Sequence, residues 1–224
     1  MLDGRSHSRP NTVGMNNPED PRSCPINDAV RIGHIHLKVA NIERALSFYC
    51  DVLGFHITQR YDDSAVFISA GDYHHHIGLN TWESKGGPPP PSGCTGLYHT
   101  AILYPTRATL ADALRRVQAA GIALEGASDH GVSEAMYLRD PDNNGVELYW
   151  DKPRAAWPVS ADGHLRMYSE PLDLKNLLAE APPDSLPEMD STGERMRHLA
   201  LSRWENEGGA LPVASGSNPE TIHR

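Results

Sequence analysis

The chain has 224 residues, a formal charge of −9 and 39% hydrophobic residues, which suits one or two domains. An acidic balance with no Lys/Arg run argues against nucleic acid as the main partner, and no apolar run reaches the length of a membrane span or a signal core. Cys24, Cys50 and Cys94 are odd in number and lack metal-type spacing, so they read as reduced thiols of a cytoplasmic protein.

Residues 1–29 are polar and without periodicity, and read as a flexible arm. Arg31 to Val39 alternates, with Ile35, Leu37 and Val39 on one face and His34, His36 and Lys38 on the other. Asn41 is a suitable N-cap. Ile42, Ala45, Leu46, Tyr49 and Leu53 then recur at helical spacing up to Gly54. Phe55 to Arg60, Ala65 to Ser69 and Asp72 to Trp82 read as three strands.

Residues 83–96 form a linker, in which Pro88 to Pro91 favour an extended conformation. The pattern then returns. Leu97 to Tyr104 reads as a strand, and Thr106 or Thr109 caps a helix carrying Leu110, Leu114 and Val117 and ending at Gly121. Ile122 to Leu124 reads as a short strand. Met136 to Leu138 and Val146 to Trp150 form a hairpin around the turn Asp140 to Gly145, where Asn and Gly tolerate positive φ. Residues 153–224 read as an extension, partly helical at Leu172 to Ala181 and Gly193 to Glu207, with a disordered end.

Both halves therefore read strand–helix–three strands, and internal repetition decides the fold. The expectation is an α+β protein of two paired βαβββ modules, residues 31–82 and 97–151 within a domain spanning 30–152, forming a curved incomplete barrel. Superposing the halves lays His34 over His99, and Gly78 over Glu147. Two imidazoles and a carboxylate from separate strands form a face that suits non-haem Fe(II), and Mn(II) or Zn(II) would accept the same donors. Gly78 leaves the symmetric position without a side chain, and so an open metal face. His36 shares the predicted face of His34 and is the substitute ligand, although its counterpart in the second half is Ala101.

The residues His34-x-x-Leu37-x-Val39, Phe48-Tyr49, Leu53-Gly54, His99-x-x-Ile102, Asp140-Pro141-Asp142 and Glu147 resemble the vicinal-oxygen-chelate superfamily. That superfamily includes glyoxalase I, the bleomycin- and fosfomycin-resistance proteins and the type I extradiol dioxygenases. The resemblance covers roughly 31–152. Glyoxalase I enzymes place a carboxylate where this chain has Gly78, so the chain departs from them. The extradiol branch implies His34, His99 and Glu147 as ligands to Fe(II), with a catechol and O2 as substrates. It also implies catalytic roles for His75, His130 and Tyr137. His75 would take the substrate proton or stabilise reduced oxygen, and the other two would hydrogen-bond substrate oxygen and intermediates. Strict alternation places His74 and His76, rather than His75, on the Gly78 face; a bulge would restore His75, and His76 is its substitute. Other expectations open to this superfamily are a glyoxalase-like isomerase or thiol transferase using Zn(II), Mn(II) or Ni(II), and a non-enzymatic small-molecule-binding module. Both ligand sets are expected from one chain, because the linker is short, and a homodimer is plausible on the same resemblance.

Overall fold

The computed structural model describes residues 26–182. The expected helix at Gly193 to Glu207, the disordered end and Cys24 lie outside the described residues. The chain divides into a leading unit, Met1–Gly33, and a body, His34–Arg224. In the leading unit a turn is closed by Val30 N–H donating to the Asn27 carbonyl (2.9 Å).

The body begins with β1 (Ile35–Lys38), followed by α1 (Ile42–Leu46). Asn41 caps α1 by accepting from the Arg44 N–H, and the helix runs on as a π-helical segment, Ser47–Val52. Ile42, Ala45, Leu46, Phe48, Tyr49 and Leu53 are all buried on one side, as their spacing requires. Then follow β2 (His56–Tyr61), β3 (Ala65–Ser69) and β4 (Ile77–Asn80). The sheet order is β1-β4-β3-β2, with β1 and β4 parallel. The strand expected from Asp72 to Trp82 is thus confined to its centre, because residues 71–74 turn the chain.

The second module repeats the plan with β5 (Thr100–Leu103), α2 (Arg107–Ala119), β6 (Gly126–Asp129), β7 (Ser133–Arg139) and β8 (Gly145–Asp151). Thr106 and Thr109 together cap α2 in a reciprocal capping box. β5 and β8 are parallel, and β8, β7 and β6 are antiparallel neighbours. The short strand expected at Ile122 to Leu124 is instead irregular chain that packs Ile122 and Leu124 on the core, and the strand starts at Gly126. Gly121 takes φ +70 and Ile122 N–H caps Val117, so the chain leaves the helix before it can join the sheet.

The extension adds an unforeseen strand and, within the helix expected from Leu172 to Ala181, a shorter helix. Glu170–Pro171 forms β9 beside β6, and α3 (Leu174–Leu178) seats Leu177 fully in the core. Arg107 ties α3 to the module through Glu134, Glu180 and Asn176.

The two sheets remain separate, and no strand of one pairs with a strand of the other among the described residues. The modules meet instead through their helical sides and share one apolar core. The turn at Asp140 is the polar part of that contact. Tyr49 donates its phenol proton to Asp140 (3.0 Å), while Asp142 accepts from Arg44 (2.5 Å) and from the Ala40 N–H (3.0 Å).

Candidate active site

Register decides which side chains stand together. In the first sheet His36 lies beside Gly78, and Gly78 beside Phe67. In the second sheet Ala101 lies beside Glu147, and Glu147 beside Tyr137. The two halves therefore correspond residue for residue, with His34 and His99 each just ahead of the first strand.

Glu147 sits among groups of the second module. His99 Nε2 lies 2.8 Å from one carboxylate oxygen, and the Tyr137 phenol donates to the other at 3.1 Å. Behind Tyr137, His130 Nε2 is 2.7 Å from the phenol oxygen, and His130 Nδ1 is 3.1 Å from the Tyr168 carbonyl. A carbonyl only accepts, so His130 donates from Nδ1 and presents Nε2 to the phenol. Tyr137 thus holds one proton between an imidazole and a carboxylate. Burial first, and the charge on Glu147 second, push its phenol up to about 12, so it remains a proton donor at neutral pH. His99 Nδ1 is buried and has no hydrogen-bond partner among the described residues. A cleft of ≈ 210 Å³ opens beside His99, Tyr137 and Tyr98.

The first module gathers a different set. The His34 ring lies 4.4 Å from that of His75, and His75 lies 4.9 Å from Phe67. His74 Nδ1 is 2.7 Å from His75 Nδ1. Burial, then the neighbouring imidazoles led by His34, lower the proton affinity of His75. His76 turns away and places Nδ1 2.9 Å from the Ser69 hydroxyl. Residues 74–76 precede β4, so strand alternation does not govern them and no bulge is needed to bring His75 beside His34. These residues face a cleft of ≈ 370 Å³ bounded by Thr58, Gln59, Phe67, His74 and His75.

Gly78 has a reason other than an open metal face. A Cβ there would come within 3.0 Å of the His36 ring. That ring lies across Gly78 and against Trp82 (5.4 Å), so His36 fills the space, and burial lowers its proton affinity.

Of the expected ligands, the structure brings His99 and Glu147 together and leaves His34 with the other histidines. Among the described residues no group of three or more His, Cys, Asp or Glu side chains is placed to hold one metal ion. The donors fit a divalent cation in kind, with an imidazole nitrogen of His99 beside a carboxylate, but among the described residues not in number. Two contributors had no signal in the sequence. One is the Tyr168 backbone carbonyl that orients His130. The other is the close approach of Gly145 to the Tyr98 carbonyl.

The family model described as Glyoxalase/Bleomycin resistance protein/Dioxygenase superfamily matches residues 31–148. The chain is 38% identical over 179 residues to a catechol-2,3-dioxygenase of Bacillus subtilis (strain 168), over 78% of this chain and 61% of that protein. It is 34% identical over 175 residues to biphenyl-2,3-diol 1,2-dioxygenase 3 of Rhodococcus globerulus, over 78% of this chain and 89% of that protein. Biphenyl-2,3-diol 1,2-dioxygenase 2 of the same organism is 31% identical over 122 residues, covering 54% of this chain and 63% of that protein. The chain belongs to the glyoxalase/bleomycin resistance protein/dioxygenase superfamily.

Proposed function

We propose that the protein is an extradiol dioxygenase that opens the ring of a catechol-type diol with O2, using Fe(II), with Mn(II) or Zn(II) as alternatives. The observation that carries this reading is the unbroken chain of contacts from the Tyr168 carbonyl through His130 and Tyr137 to Glu147 and His99. Relatives named as catechol and biphenyldiol dioxygenases support it.

His99 and Glu147 are the donors this module would offer the cation. When bound, the ion supplies Lewis-acid activation of the diol oxygens and a path for electrons to O2. The protein supplies the rest. A diol arriving at the cleft must lose protons, and Tyr137 can pass one between His130 Nε2 and Glu147 without leaving its place. The Tyr168 carbonyl fixes which His130 nitrogen is free to receive it. His75, whose proton affinity burial and the neighbouring imidazoles lower, is the corresponding base in the other cleft.

The test is to load the protein with Fe(II) without air, add catechol, 3-methylcatechol or 2,3-dihydroxybiphenyl, admit air and follow the visible absorbance. A yellow muconic semialdehyde type of product is expected. Iron-loaded protein that yields no colour with any of the three would overturn the assignment.

A further inference from the structure

His75 stands in irregular chain between β3 and β4. Its ring lies 4.4 Å from that of His34, 4.5 Å from His74 and 4.9 Å from Phe67. Outside a strand or helix, a side chain is aimed by the two planar peptides that flank its Cα, because φ and ψ are the only soft backbone dihedrals between them. The peptide after His75 is fixed by backbone pairing: the His76 N–H donates to the Ile68 carbonyl of β3 (2.9 Å). The peptide before it is fixed by a side chain. The His74 carbonyl accepts from the Thr58 hydroxyl of β2 at 2.8 Å.

Thr58 reaches that carbonyl because β2 carries a bulge. Ile57 lies beside Ile68 and Gln59 beside Phe67, so Thr58 is an extra residue with no register partner on β3. Consecutive side chains of a regular strand point to opposite faces, yet Thr58 and Gln59 both border the cleft that holds His74 and His75. An extra residue bends its strand and re-aims a side chain in this way. The same hydroxyl lies 3.2 Å from the Phe67 carbonyl. One side chain thus links β2, β3 and the chain that leads into β4.

We propose that Thr58 is a positioning residue for His75: its hydroxyl, set at the bulge of β2, fixes the peptide before His75 and so holds the imidazole beside His34 and Phe67. Its effect on turnover rests on the reading of His75 as a base in the proposed reaction, whereas the placement of the ring is read without turnover. Valine has the shape of threonine without the hydroxyl, so Thr58→Val removes the bond and keeps the bulk. Thr58→Ser keeps the hydroxyl and removes a methyl group. The pair separates a hydrogen bond from packing. Displacing an acid–base group by about 1 Å can slow a reaction about 10²-fold.

The experiment pairs NMR with kinetics. In the full chain, histidine-labelled and with Zn(II) in place of any iron, a nuclear Overhauser peak between the His34 and His75 rings reports their contact. Wild type and Thr58→Ser should show the peak. Thr58→Val should lose it or weaken it several-fold, with an unchanged circular dichroism spectrum. Iron-loaded Thr58→Val should then lose about 10- to 100-fold in kcat, with KM for the diol and bound Fe(II) little changed, and Thr58→Ser should restore kcat. If Thr58→Val does not fold, Thr58→Ala takes its place beside Thr58→Ser. A Thr58→Val chain that keeps the peak, or a wild type that lacks it, would overturn the proposal. So would a Thr58→Ser chain as impaired as Thr58→Val, since packing and not the hydroxyl would then hold the ring. Full turnover by a Thr58→Val chain that has lost the peak would also overturn it, because the reaction would not use the position that Thr58 fixes. A peak lost in Thr58→Val and kept in Thr58→Ser, with no diol opened by the wild type, would leave the placement of His75 by Thr58 standing and remove the dioxygenase reading.

Discussion

A Cβ added to Gly145 would come within 2.1 Å of the Tyr98 carbonyl oxygen and 3.0 Å of His99 Cβ. The residue is glycine because two backbones approach closely at the start of β8. The turn's positive φ is taken by Asn143 (φ 65), one of the two residue types expected to tolerate it. Gly145→Ala should therefore cost about 1–3 kcal/mol through overpacking. It should also weaken metal binding by pushing His99 off Glu147, as followed by urea unfolding and Fe(II) dialysis. Tyr137→Phe keeps the ring and removes the proton shared by His130 and Glu147. A fall in kcat of about 10²-fold is expected, with metal content unchanged, and steady-state kinetics on iron-loaded protein checks it. The repeat pointed to His99 and Glu147, because side-chain chemistry recurs at matching positions, and the family resemblance pointed to His130 and Tyr137. Tyr168 was not legible, because it acts through a carbonyl that every residue possesses.

At the scale of elements, the extension is part of the second module. Tyr168 N–H donates to the His130 carbonyl (3.3 Å) while its own carbonyl accepts from His130 Nδ1. Gly131, at φ +78, lies against Tyr168 and Pro158, and a Cβ there would come within 2.6 Å of the Tyr168 ring. Gly131→Ala should lift this strap and lower kcat while leaving bound iron unchanged, a separation that metal analysis beside turnover would show. Leu177 is fully buried in α3, and Leu177→Ala should cost about 2–5 kcal/mol in urea unfolding. The sequence placed α3 correctly because its periodicity is local. It gave no sign of β9, since Glu170–Pro171 is a strand only because β6 has a free edge to receive it.

For the whole molecule, charge pairs set the acid limit. Burial alone would raise the carboxyls of Asp112 and Asp129. Arg115 and Arg116 around the first, and Lys152 with the Gly131 N–H around the second, outweigh burial and hold both below the ordinary 3.8. A depressed carboxyl contributes stability above its unfolded pKa and loses it as pH falls through the lower folded value. Melting temperature should thus drop steeply below about pH 4, and Asp129→Asn should flatten that drop in melts taken across the range. Among the described residues no helix is long and apolar enough to cross a membrane. The sequence by itself determined the two modules, the helices and the residue types of the site, because strand and helix periodicity and the repeat are local properties of the chain. Only the tertiary structure decided that the modules join through Tyr49, Asp140 and Asp142, leaving His34 apart from His99 and Glu147. Which faces of two similar modules meet depends on packing between distant residues, and no local pattern records it.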